Sequence, residues 1–391
     1  MSLASSPRLP LRLLAYALAW AGGAVAYTPF LTLLLPLRFT ELAGENDVYW
    51  LGLSTAVGAL AASGGNILWG HVSDRLGLRL PLSALGLVAI GLSSLAIAWS
   101  RDPVALVCSV AVWQLGINLF LAPLAAYGAD TIPNRQKGVL GGLLALGPGI
   151  AAMSTVAISL APPSLPAQLA LILLIVLLCF APLLGMGRPA PATHSPPDEG
   201  AFRQGGSRLA LVQLWVARLI VQVAEGIIFV FLFYYLRSLS GGALAPERFA
   251  LINVVAQLSA LPVALLAGRR SDRTGRRRSA LFVMVLLLAS GLVGMSLAEN
   301  WPAAALGYTV FVIGSTSFLA LHSAFAMQQL RDPARFGRDL GLFNLTNTLP
   351  ALASPLLAAL VIGRVGYDWL LLALAAAMLV PAWVIARLDQ R

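Results

Sequence analysis

"GHVSDRLGLR", from Gly70 to Arg79, and "GRRSDRTGRRR", from Gly268 to Arg278, are two copies of one small charged phrase. Both read G-x-x-x-D-R-x-G, and they begin 198 residues apart in a chain of 391. Each copy interrupts long apolar runs, so its surroundings decide what it is. The chain is 59% hydrophobic and only 11% charged, with a mean hydropathy of +0.83. A soluble domain carries about 25% charged residues. No sphere of this size has interior enough to hide so much apolar surface from water. A bilayer does, and the composition reads as an integral membrane protein.

A membrane-crossing helix needs roughly 20 apolar residues. Six such runs precede the middle of the chain, near 11–36, 48–70, 80–99, 103–128, 138–161 and 166–187. Six follow, near 209–236, 247–268, 279–298, 302–329, 340–363 and 366–387. They are continuous, without the period-2 alternation of barrel strands, so the fold class is all-α with twelve spans. The first run follows a short basic tail and is too long for a signal-peptide core, so it is expected to stay in the mature protein.

Basic residues outnumber acidic ones, 26 to 16. In a soluble chain a net charge of +10 would suggest nucleic acid. Here the charges sit between apolar runs and orient them instead, so no nucleic-acid partner is expected. With both termini cytoplasmic, 20 basic residues fall in inside loops and tails, 5 fall outside, and Arg218 remains within a helix. That bias favours both ends in the cytoplasm, and the chain is expected in the inner (plasma) membrane. "PAPATHSPPDEGAFRQGGS", residues 189–207, is rich in Pro, Gly and Ser and reads as a cytoplasmic linker. It separates an N-terminal six-helix half, 1–188, from a C-terminal one, 208–391. His194 lies in that linker and is assigned no role. Cys108 and Cys179 both lie inside apolar runs and give neither a disulfide framework nor metal spacing. With three scattered histidines, no metal or cofactor is expected.

The repeat extends beyond the phrase. Pro133-Asn134-Arg135 and Pro333-Ala334-Arg335 lie 200 residues apart, as do Leu140-Gly141 and Leu340-Gly341. Two parallel six-helix repeats are a transporter architecture. On these features the whole chain resembles the major facilitator superfamily. Gly70, Asp74, Arg75, Gly77 and Arg79 match that family's G-x-x-x-D-R-x-G-R-R loop motif. Gly268, Asp272, Arg273, Gly275, Arg276 and Arg277 match it more fully. The resemblance implies two helical bundles that rock about a central cavity.

Glycine permits close helix approach and tight turns. Asp74 can face the positive end of a helix in the other half, with Asp272 reciprocal; the resemblance puts those ends near Gly341 and Gly138. The arginines can pair with acids such as Asp130, or touch anionic headgroups. Together these residues would form a conformational latch. Fixing topology accounts for much of the arginine, but not for the ordered Gly and Asp.

A narrower resemblance rests on "NLFLAPLAAYGADTIPNRQKG" (118–138), "WVARLIVQVAEGIIFVFLFYYL" (215–236) and "GRDLGLFNLTNTLPALASPL" (337–356). These stretches are similar to the sucrose-transporter-like branch, near the glycoside–pentoside–hexuronide symporters. That similarity implies proton-linked sugar or glycoside transport. Drug-antiporter signals are incomplete. The fourth span carries no arginine, and Gly147-Pro148-Gly149 is followed by Ile150-Ala151-Ala152 rather than a glycine pair.

The most informative polar residues are in the seventh span. Arg218, Gln222 and Glu225 are spaced i, i+4, i+7 and share one helix face. An ionisable group inside a bilayer costs roughly 2.5–3.5 kcal/mol on insertion scales, so it should face a cavity or a partner. Glu225 lies mid-span, as a proton-coupling carboxylate or as a buried clamp; Arg218 is nearer the cytoplasmic end. By resemblance, spans one, four, seven and ten surround the cavity. They add Trp20 and Tyr27, Gln114 and Asn118, and Ser315 with Thr316 as substrate-binding candidates. The amides suit hydroxyls, and the aromatic pair suits a sugar ring, a packing contact or an interfacial anchor. His322 is a second candidate proton partner or a packed histidine. Asn253 and Gln257, and Asn344 and Asn347, suit interhelical hydrogen bonds, and Pro350 and Pro355 suit a kink.

No phosphate-binding loop and no nucleophile–base–acid arrangement stand out, so an enzyme is not expected. The expected function is secondary active transport of a small-molecule substrate, coupled to protons, by a lipid-embedded monomer. Efflux of amphipathic compounds is the alternative within transport. A non-transporting assembly or pigment-delivery factor is the alternative outside it.

Overall fold

A computed structural model of the chain describes residues 8–132, 140, 143–144, 146–186, 208–329 and 336–387. The linker 189–207 with His194, Gly138, and the paired segments at 133–135 and 333–335 lie outside the described residues, as do the side chains of Asp272, Asn344 and Asn347.

Every regular element among the described residues is a helix. The first half holds α1 (Arg8–Pro29), α2 (Leu35–Ala43), α3 (Asp47–Leu76), α4 (Arg79–Trp99), α5 (Pro103–Thr131), α6 (Gly147–Ser159) and α7 (Leu165–Leu184). The second holds α8 (Arg208–Ser238), α9 (Pro246–Thr274), α10 (Arg277–Ser296), α11 (Trp301–Gln329), α12 (Phe336–Ala377) and α13 (Leu379–Ala386). Among the described residues nine helical stretches are long and apolar enough to cross a membrane, and Gly147–Ser159 is apolar but shorter. Two merged stretches resolve the count. Pro10–Leu76 runs for 67 residues, and at about 1.5 Å per residue that is far more than one bilayer. It divides at the short 3₁₀ turn Gly44–Asn46. α12 breaks at Gly366, whose φ of 85° is left-handed. Twelve rods result among the described residues, six in each half. The chain is a multi-pass, all-α membrane protein.

Two expected spans differ in detail. The first was expected to end near 36, but Phe30–Leu34 continues α1 as a π-helical turn and the rod reaches Ala43. Pro29 and Pro36 flank that turn; neither ring nitrogen can donate, so the hydrogen-bond ladder shifts register instead of stopping. In α12 the non-helical torsions occur at Gly366, while Pro350 and Pro355 lie in helical backbone.

Helix ends follow local chemistry. Asp102 caps α5 by accepting from the Ala105 N–H at 2.9 Å, and Asn300 caps α11 by accepting from Ala303 at 3.0 Å. Gly77 ends α3 at φ 64° and Gly275 ends α9 at φ 66°, both left-handed. These glycines are 198 residues apart and belong to the repeated phrase. By contrast, a Cβ on Gly70 or Gly268 would meet nothing within 4 Å, so close packing does not account for those two.

The chain divides into two compact units, Met1–Trp50 with Val57–Pro196, and Leu51–Ala56 with Pro197–Arg391. Within the first, α4 pairs most extensively with α5; within the second, α10 pairs most extensively with α11. The two pairings repeat at residue level. A Cβ on Gly116 of α5 would lie 3.2 Å from the Ile90 nitrogen of α4. A Cβ on Gly314 of α11 would lie 2.5 Å from the Leu288 nitrogen of α10. Gly116 and Gly314, and Ile90 and Leu288, are each 198 residues apart. Glycine lets the backbones meet, and close dispersion contact, rather than hydrophobic force, holds helices together in lipid.

Candidate functional site

The repeat offset changes how the polar residues of α8 are seen. Subtracting 198 from Arg218, Gln222 and Glu225 gives Trp20, Ala24 and Tyr27 of α1. Each set is half-buried on its own helix, beside fully buried neighbours. The same structural position is thus aromatic and apolar in the first unit, and charged in the second.

In the second unit, α11 holds both charges. Arg218 donates from Nη1 to Ser323 Oγ at 2.9 Å. The Glu225 carboxylate is hydrogen-bonded to the Ser315 hydroxyl. Ser315 Oγ also lies 3.3 Å from the Val312 carbonyl oxygen. A hydroxyl has one proton, so it serves the carboxylate or the carbonyl at any moment. Ser315 is 3% exposed, and Thr316 beside it is half-buried. Seven residues separate Arg218 from Glu225, an axial rise of about 10 Å. Their opposite charges interact along the helix, and Gln222 is half-buried between them.

Two contacts, one buried and one part-buried, lie beside this face. His322 lies fully buried on α11 with Nε2 2.9 Å from the Leu214 carbonyl of α8. A carbonyl only accepts, so Nε2 carries the proton in this contact. The His322 ring also lies 5.3 Å from Phe318, centroid to centroid. Tyr308 donates to Asn253 Oδ1 at 2.9 Å, joining α11 to α9. His322 thus sits between helices α8 and α11, one turn from Arg218 in the direction of Leu214.

The first unit is built differently. Tyr16 stacks with Trp20 at 6.4 Å and with Tyr127 of α5 at 6.3 Å. Trp20 and Tyr27 are half-buried. Asn118 is 8% exposed; its amide nitrogen donates to the Gln114 carbonyl at 2.9 Å, and its oxygen accepts from Asn66 at 3.4 Å. Trp69 donates to the Leu115 carbonyl at 3.0 Å. Asn118 therefore helps join α3 to α5, and the Gln114 side chain remains half-buried beside it.

At the loop phrase, Arg79 is the centre. Its Nη1 donates to Asp74 at 2.6 Å and to Ser73 Oγ at 2.8 Å, and its Nε donates to Asp130 of α5 at 3.0 Å. One guanidinium thus ties the end of α3 to the end of α5. Arg75 is exposed. In the second copy Arg273 and Arg276 are exposed and Arg277 is half-buried.

Sequence reasoning did not single out Ser323, Asn66, Tyr16 or Tyr127. Ser323 follows Ser315 by eight residues, two helical turns plus a fraction, which was a faint signal. No group of three or more His, Cys, Asp or Glu able to hold a metal occurs among the described residues.

A family model described as Major Facilitator Superfamily matches residues 2–154 and 214–390. The multidrug resistance protein MdtG of Proteus mirabilis (strain HI4320) is 24% identical over 387 residues, covering 91% of each chain. Three solved structures share the fold at lower identity. A bacterial homologue of the human lysosomal transporter Spinster, inward-facing and occupied, matches at TM-score 0.70 and 14% identity, over 98% of this chain and 97% of its own. The human organic anion transporter MFSD10 matches at 0.63 and 18%, over 97% and 100%. A mutant of the nucleoside transporter NupG matches at 0.73 and 14%, over 96% and 99%.

Proposed function

The chain belongs to the Major Facilitator Superfamily and is a membrane transporter, and from that premise we propose that it exports an amphipathic organic compound in exchange for protons. Glu225 carries the proton in this reading. The observation that bears the proposal is a carboxylate in the middle of a membrane helix, held by Ser315 and flanked on the same face by Arg218. When Glu225 is ionised, the Ser315 hydroxyl donates to it. When Glu225 takes a proton it can donate itself, and the hydroxyl turns to the Val312 carbonyl 3.3 Å away. Protonation thus exchanges one hydrogen bond for another and strands neither group.

The amphipathic substrate is favoured by the uneven distribution of polar groups. The first unit offers Trp20 and Tyr27 where the second offers Arg218 and Glu225. Asn118, which would meet a sugar hydroxyl, is engaged with Asn66 and the Gln114 carbonyl. MdtG, similar along nearly all its length, is described as a multidrug resistance protein. Proton-coupled sugar or glycoside uptake is the second reading, favoured by the half-buried Trp20 and Gln114 side chains. The arginine distribution supports both termini in the cytoplasm of the inner membrane, with the linker 189–207 between halves 1–188 and 208–391 on the same side. The two loop phrases act as a conformational latch, and Arg79 holds the first in shape.

The test is transport in proteoliposomes under an imposed pH gradient, with fluorescent amphipathic compounds and labelled glycosides offered in parallel. Gradient-driven export of the amphipathic compounds is expected. Glu225→Gln should abolish concentrative movement while sparing substrate exchange. Normal proton-driven accumulation by a well-folded Glu225→Gln protein refutes the role of Glu225. Movement of glycosides alone replaces the first reading with the second.

A further inference from the structure

The repeated phrase carries a surplus of charge in one copy only. Residues 269–278, with Arg387, hold seven arginines and one carboxylate, Asp272. Only Arg273 and Arg277 have arginines 198 residues earlier, at Arg75 and Arg79. At the positions matching Arg269, Arg270, Arg276, Arg278 and Arg387 the first half has His71, Val72, Leu78, Leu80 and Pro189. The first copy also spends its Arg79 on two carboxylates, Asp74 and Asp130. Five arginines, four in the second copy and Arg387 beyond it, therefore have no counterpart at the repeat offset in the first half.

The tertiary structure gathers this surplus at one place. Arg278, at the start of α10, donates from Nη2 to the Ala386 carbonyl at the end of α13. The next residue, Arg387, lays its guanidinium over the Trp383 ring at 4.3 Å. Two cations more than a hundred residues apart in sequence thus meet at one helix end. Arg269, Arg270 and Arg276 are exposed on the adjoining end of α9 and its turn into α10. An apolar stripe runs from this corner along α13: Leu379 is 68% exposed, Val380 44% and Trp383 55%. Leu379, Val380 and Trp383 are spaced i, i+1, i+4 and share one face.

We propose that this corner of the second unit, between the start of α10 and the end of α13, is a binding site for an anionic phospholipid. A phosphate needs cationic forks, and guanidinium supplies two parallel donors to it. Stacking on Trp383 holds the Arg387 plane while its edge stays open to a ligand. The exposed stripe beneath it is the surface an acyl chain covers. A free phosphate would use the arginines but leave Leu379, Val380 and Trp383 bare, so a lipid fits the whole feature. Topology alone asks for arginines in the loop, not for an aromatic shelf and an apolar track beside them.

The full chain, purified and delipidated in detergent, is titrated with dioleoylphosphatidylglycerol and with dioleoylphosphatidylcholine, and bound lipid is counted by native mass spectrometry. Phosphatidylglycerol should bind at least about tenfold more tightly than phosphatidylcholine, the scale expected of two arginines at an anionic headgroup. The double variant Arg278→Gln with Arg387→Gln should lose that preference and keep phosphatidylcholine binding. A second Arg–Trp pair serves as the control: Arg248 lies 5.7 Å from the Trp301 ring at the opposite end of α9. Arg248→Gln should leave the preference intact. Trp383→Leu, which removes no charge, should weaken phosphatidylglycerol several-fold, and it provides the readout if the double variant does not fold. Equal binding of the two lipids to the wild type overturns the proposal. So does a preference that survives Trp383→Leu unchanged, or one lost as fully in Arg248→Gln. Inorganic phosphate that displaces the lipid completely at millimolar concentration would reassign the site to a small anion.

Discussion

The contact of α11 with α10 makes a quantitative prediction about two matching glycines. Gly314→Ala places a methyl group 2.5 Å from the Leu288 nitrogen, 2.8 Å from its Cα and 2.9 Å from its Cβ. Ordinary contact begins near 3.4 Å, so the two helices must part by about 0.9 Å. The obstacle is mainly backbone, and no rotamer can relieve it. Overpacking of this kind costs about 1–3 kcal/mol. Alanine recovers up to about 1 kcal/mol of helix propensity, and an overlap of this size against backbone belongs in the upper part of the overpacking range, so the net cost is about 1–2 kcal/mol. Gly116→Ala, the same change 198 residues earlier, meets Ile90 nitrogen at 3.2 Å and Ala89 carbon at 3.3 Å. That needs a shift of only about 0.2 Å, so propensity and overlap should nearly cancel. Thermal unfolding of the purified variants in detergent measures both. Gly314→Ala should lower the midpoint by about 2–8 °C, taking roughly 2–4 °C per kcal/mol for a unit of this size. Gly116→Ala should stay close to wild type. Because Ser315 follows Gly314 directly, Gly314→Ala should also impair transport in the fraction that remains folded. The reasoning fails if Gly116→Ala is the more damaging of the two, or if Gly314→Ala melts with the wild type.

Arg79 should couple measurably to both of its carboxylates. In a double-mutant cycle of Arg79→Gln with Asp130→Asn, unfolding should reveal a coupling of about 0.2–1 kcal/mol that shrinks with added salt, as expected of a partly exposed pair; a coupling of zero at low salt would make the pair incidental. Gly77→Ala and Gly275→Ala should each destabilise by about 1–2 kcal/mol, because φ near +65° is left-handed. Gly70→Ala and Gly268→Ala, inside helices with open space around them, should melt at or slightly above the wild type, because alanine adds up to about 1 kcal/mol of helix propensity, and equal losses at all four would refute the distinction.

Much of the fold was legible from residues near one another in sequence. The apolar runs of α4, α5, α10 and α11 announce bilayer helices because every backbone group in lipid must be satisfied within its own segment. The repeat is legible because Gly77 and Gly275 meet the same local demand, a left-handed turn after a helix. The shared face of Arg218, Gln222 and Glu225 follows from helical periodicity alone. Where sequence reading missed, the cause was also local: the π turn at Phe30–Leu34 keeps a helix going past two prolines that ordinarily end one.

What one side chain meets on another helix is a different matter. It depends on the rotation and axial register of two rods, and a shift of one residue turns a side chain by about 100°. No run of residues on α8 states that Arg218 will find Ser323, or that Glu225 will share the Ser315 proton with Val312. Asn118 reads equally well as a ligand group or as a clamp until Asn66 is seen beside it. Arg278 and Arg387 look like ordinary loop charges until the packing of α10 on α13 brings them to one helix end. Composition and periodicity determined the class, the spans and the repeat, because the bilayer acts on each segment separately. The tertiary structure alone decided the partners, because helices in lipid are held by close packing of small residues and scattered polar contacts, and these have no period along the chain.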